Sequence, residues 1–152
     1  SVIAAALAKE AATGEPAMAI ELNDGRILTG KTSTLMGSAS AMLLNALKAS
    51  AEIPDETLLM SREVIEPIME LKTGHLGNHN PRLHTDEILI ALAICAVNDP
   101  VAKKAMDQLP ALKNCEAHST VMLSQVDVNT FRKLGIHLTC EPKHQTKKLF
   151  HK

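Results

Sequence analysis

Hydrophobic positions along this chain fall into blocks separated by Gly, Pro and Asn/Asp, and the spacing inside each block predicts its element. The stretch VIAAALAKEAAT, residues 2–13, is rich in strong helix formers and stops before Gly14, which predicts a first helix. The runs AMAIEL and RILTG flank Asn23-Asp24-Gly25. An Asp-Gly turn between two short apolar runs predicts a hairpin, with strands near 17–22 and 26–30. From Thr34 to Ala49, Leu35, Ala39, Met42, Leu43, Ala46 and Leu47 recur at helical spacing, and Thr32, Ser33 or Thr34 can cap the start.

The second half continues the alternation. Ser61 is placed to cap a helix carrying Val64, Ile65, Ile68, Met69 and Leu71, and Pro67 inside it is expected to bend the helix or set its first turn apart. GHLGNHNPR, residues 74–82, has the composition of a loop. Thr85-Asp86-Glu87 then opens an apolar helix over 86–97, and Asp99-Pro100 opens another to about Leu109. Residues 117–123 form a β-branched apolar run, Asp127 is placed to cap a short helix through Leu134 before Gly135, and Ile136–Cys140 is a last strand. The order is helix, hairpin, helices, strand, helix, strand. It predicts an α/β layered sandwich: a small mixed sheet, the hairpin plus two later strands, covered by helices.

Composition narrows the class. The chain has 152 residues, 45% of them hydrophobic and 22% charged, which fits one folded domain with one core. Its opening, SVIAAALAKE, lacks an initiator Met, a basic stretch and a cleavage site, and reads as a domain boundary with more chain before it. The longest apolar run, ILIALAICAV at 88–97, is short of the roughly 18 residues that span a bilayer and predicts a buried helix, with no membrane partner. Cys95, Cys115 and Cys140 are odd in number and lack framework spacing, so a reducing cytoplasm is expected. A net charge of −1, no Trp or Tyr, and only Phe131 and Phe150 as aromatic residues argue against nucleic acid. The tail 143–152, KHQTKKLFHK, carries four lysines and two histidines and reads as a solvated or partner-docked terminus.

Three constellations could carry chemistry. Residues 25–32, GRILTGKT, match the phosphate-loop pattern G-x-x-x-x-G-K-[ST], which would make a nucleotide-binding module with Lys31 and Thr32 at the phosphates. Ile27, Leu28 and Thr29 are strand formers directly after a turn, so the hairpin reading is preferred. His84 and Glu87 at a helix start, with Cys115 and His118 spaced C-x-x-H, are the right types for zinc. His84, Cys115 and His118 would be the ligands and Glu87 the general acid/base of a metal-dependent hydrolase or deaminase-like enzyme, with His84 and Glu87 its catalytic candidates. The third is the loop before that helix, where Asn80, Arg82 and His84 could bind a ligand.

Read together, AIELNDGRILTGKTS, LGNHNPRLHTDEILIALAI, CEAHSTVMLSQVD and FRKLGIHLTCEPKHQTKKLFHK resemble the bacterial family grouped as domain of unknown function 1846, over residues 16–152. The resemblance implies that residues 1–152 are the single C-terminal α/β domain of a longer cytoplasmic protein. Its N-terminal part would be the partner of this domain. Some members of the family are labelled zinc-protease-like, but H-E-x-x-H does not occur in this chain. The element order is also similar to the cytidine-deaminase-like fold, whose zinc ligand and catalytic Glu sit on the helix after the hairpin. Here that helix, STLMGSASAMLLNAL, carries neither. The expected role is therefore an assembly surface, in a homo-oligomer, with one wall of a small-molecule site at Asn80, Arg82, His84 and Glu87 and with Cys115 and His118 as its neighbours. No cofactor is expected from this domain alone; zinc belongs to the alternative.

Overall fold

The computed structural model describes residues 1–144, so most of the basic tail lies outside the described residues. Helix α1 (Val2–Thr13) ends at Gly14, and strands β1 (Ala17–Glu21) and β2 (Ile27–Lys31) form the expected antiparallel hairpin. Helices α2 (Ser38–Ser50), α3 (Arg62–Glu70), α4 (Thr85–Cys95) and α5 (Pro100–Met106) follow. Strand β3 (Glu116–Ser119), helix α6 (Gln125–Leu134) and strand β4 (His137–Cys140) complete the order. The sheet runs β2-β1-β3-β4, with β1 antiparallel to both neighbours and β3 parallel to β4. This is the α/β arrangement of helices around a four-stranded mixed sheet.

Side chains alternate across the sheet, and each face meets a different layer. Met18 and Ile20 of β1, with Leu28, Ala117 and Leu138 beside them, point into the main core with Met42, Leu43, Leu47, Ile88, Leu92 and Phe131 from α2, α4 and α6. Ala19 points the other way and packs with Val2 and Ala6 of α1. Small residues at Ala17 and Ala19 let that single helix lie close to the strand.

Several boundaries differ from the sequence reading, each for a local reason. Helix α2 starts at Ser38 instead of near Thr34, because the Ser33 hydroxyl accepts from Leu35 N and Met36 N and holds residues 33–36 in a turn. Helix α3 runs through Pro67 without a separate first turn and continues as a wide turn over Leu71–His75, closed by Leu76 N donating to Leu71 O at 2.9 Å. Strand β3 stops at Ser119, whose hydroxyl accepts from Val121 N and donates to Val121 O, bending the chain out of the ladder. The cap of α4 is His84 rather than Thr85, and the cap of α6 is Ser124, which accepts from Asp127 N.

Candidate functional site

Two chain segments are tied together before α4 begins. Leu83 N donates to Leu35 O at 3.0 Å, Gly37 N donates to Leu83 O, and Ser40 Oγ donates to the same carbonyl at 3.0 Å. This short parallel contact brings the loop 76–83 onto the turn that precedes α2. Arg82 is fixed there: its Nε donates to Ser33 O at 2.6 Å and its backbone N to Asn80 Oδ1 at 3.0 Å.

Helix α4 then starts inside a polar network. Glu87, three residues into the helix from His84, accepts from His84 N at 2.8 Å and from Lys72 Nζ at 2.8 Å. Lys72 is only 4% exposed and also donates to Arg82 O. From the far side, Asp127 of α6 accepts from Thr85 N at 2.9 Å and from Thr85 Oγ1 at 2.8 Å. Its other oxygen lies 3.4 Å from His84 Nδ1. Carboxylates thus already occupy the amide-rich end of α4, with Asp127 on Thr85 N and the Asp86 side chain on Glu87 N. Among the described residues no buried side-chain nitrogen or oxygen lacks a partner.

The electrostatics follow from this geometry. The Asp127 bond holds His84 above its ordinary value of 6.5, against the opposing effect of burial. Burial works against the charge on Asp127, but the bonds from His84 and from the Thr85 amide and hydroxyl outweigh it and keep the carboxyl below 3.8. Each member of the pair therefore favours the charged form of the other.

Of the residues singled out from sequence, Asn80, Arg82, His84 and Glu87 come together at this one place. Cys115 and His118 lie elsewhere, and on opposite faces of the sheet. Cys115 belongs to the main core, where burial pushes its thiol up. His118 lies beside Ala19 on the α1 face, with Nδ1 2.6 Å from Thr139 Oγ1 and Nε2 2.7 Å from Glu141. An i, i+3 spacing on a strand separates two side chains, whereas on a helix it would unite them. Among the described residues no group of three His, Cys, Asp or Glu is placed to hold a metal ion.

The phosphate-loop match resolves into a hairpin. Gly25 takes φ +92° in the turn, where a side chain would be strained, and residues 27–31 all pair with β1. Gly30 is needed for packing: a Cβ there would overlap the backbone of Ala41 and Met42 in α2. Lys31 is exposed on the edge strand, and the buried Thr32 hydroxyl accepts from Ser38 N. Both glycines therefore have reasons unconnected with phosphate.

Lys72, Thr85 and Asp127 were not singled out from sequence as members of the network. The sequence offers Asp127 as a helix cap but not as a partner of α4, and nothing in LKTGH distinguishes a buried lysine from a solvated one.

Residues 1–150 match the model of a family described as "Domain of unknown function DUF1846, C-terminal". The chain belongs to this family. Among the relatives, a UPF0371 protein of Corynebacterium efficiens is 55% identical over 152 residues, covering 100% of this chain and 31% of its own. A UPF0371 protein of Corynebacterium glutamicum is 54% identical over 151 residues, covering 99% and 30%, and one of Streptococcus thermophilus is 52% identical over 151 residues, covering 99% and 31%. The DUF1846 C-terminal domain thus spans about a third of the length of the curated relatives it matches. No helix among its described residues is long and apolar enough to cross a membrane.

Proposed function

We propose that this C-terminal domain serves assembly: it presents a helix face that is completed by other protein. The observation that carries this reading is α4, which is apolar on both sides. Ile88, Ala91, Leu92 and Cys95 face the domain, whereas Ile90 and Ile94, 61% and 67% exposed, face outward. A helix that is apolar all round belongs in an interior. The test is Ile94→Glu in the full-length protein. A truly solvated position tolerates such a change within about 0.5 kcal/mol. The expected result is a lower unfolding midpoint or a changed molecular mass; wild-type values of both would refute the reading.

A second reading concerns His84. Asp127 engages its Nδ1 and the side chain is 29% exposed, which leaves Nε2 for a substrate or ligand held by other parts of the protein. Diethyl pyrocarbonate should then modify His84 in the native full-length protein, and absence of modification would sink this reading. The likeness in element order to the cytidine-deaminase-like fold is kept as a fold proposal without its chemistry, since α2 carries no His, Cys or Glu.

A further inference from the structure

Ten residues from Ile88 to Val97 contain no charged or hydroxyl side chain, and the exposed ones among them are not scattered. Ile90, Ala93, Ile94 and Val97 are all exposed, Val97 at 77% in the turn that closes α4, and their spacing is i, i+3, i+4, i+7. That is the spacing by which one helix face packs against another element. The inner face repeats the same spacing at Ile88, Ala91, Leu92 and Cys95. Helix α4 therefore carries two core-type stripes on opposite sides, of which this domain buries one.

Resting on the assembly reading above, we infer that the outer stripe of α4 is covered by the N-terminal portion of the same polypeptide. Two observations favour that occupant over a second copy. First, more than two thirds of each relative's length lies outside the region matched here, since the aligned part is 31% of the Corynebacterium efficiens protein. A tethered neighbour of that size meets α4 at high effective concentration without needing a large contact. Second, two copies of α4 facing each other would bury only three branched side chains and one alanine per chain. A stable interface between free proteins needs roughly 800 Å² on each side. A stripe this small is sufficient for a tethered contact and deficient for a free dimer.

The experiment is cysteine accessibility in the full-length protein. Ala93→Cys places a thiol in the middle of the stripe with little change of volume, and a maleimide is the probe, read at that site by peptide mass spectrometry. The expected result is labelling at least roughly ten-fold slower than in the urea-unfolded chain, unchanged when the protein is diluted below the concentration at which any oligomer dissociates. Protection that is lost on dilution would overturn the inference in favour of a second copy while leaving the assembly reading intact. Rapid labelling at every concentration would overturn both.

Discussion

Asp127 shows how one side chain can decide where two helices meet. It stands three residues after the cap of α6, yet its carboxylate crosses to the first turn of α4 and takes the Thr85 amide and hydroxyl. The His84–Asp127 contact contributes stability only between two limits. Because the folded value of His84 is raised above 6.5, its share is complete below that pH and is lost as pH rises through the raised value. Because Asp127 is held below 3.8, its share is present above that pH and is lost as pH falls through the lowered value. Asp127→Asn should therefore destabilise most near pH 5.5, and the gap from wild type should narrow by pH 8.5 without closing, since the bonds to Thr85 do not titrate with His84. Denaturation midpoints at the two pH values check this; an equal gap would show that the histidine contributes no charge.

Helix α2 and the hairpin are matched by shape at a single residue. Gly30 faces Ala41 and Met42 so closely that their backbones fill the space a methyl group would need. Backbone cannot swing aside as a flexible side chain does, so Gly30→Ala should cost about 1–3 kcal/mol, the usual range for overpacking. A urea titration measures it, and a variant as stable as wild type would mean that α2 lifts off β2 freely. The hairpin itself was legible in the sequence because an Asp-Gly turn between two apolar runs is a local signal. The start of α2 was not, because the Ser33 hydroxyl competes with the helix for the amides of Leu35 and Met36.

Across the whole molecule, the sheet is covered unequally. One face meets α2, α4 and α6 through the large apolar core, and the other meets α1 over alanines, with His118, Thr139 and Glu141 beside it. The outer face of α4 adds a second core-type surface that the domain does not use. On the assembly reading proposed above, that surface is the one completed by other protein; the chain itself covers 30% of the length of its Corynebacterium glutamicum relative.

The sequence by itself determined the class, the order of elements and the α/β layering, because periodicity, turn chemistry and caps act within a few residues of each other. It also placed Asn80, Arg82, His84 and Glu87 near one another, since all lie within one short segment. Only the tertiary structure decided which groups those residues meet. Lys72 and Asp127 reach the start of α4, and Ser33 reaches Arg82, from three other segments, and their arrival depends on how the helices pack. Cys115 and His118 show the converse: close in sequence, they part because a strand sends alternate side chains to opposite faces. Local spacing reports elements; long-range packing decides which side chains share a site.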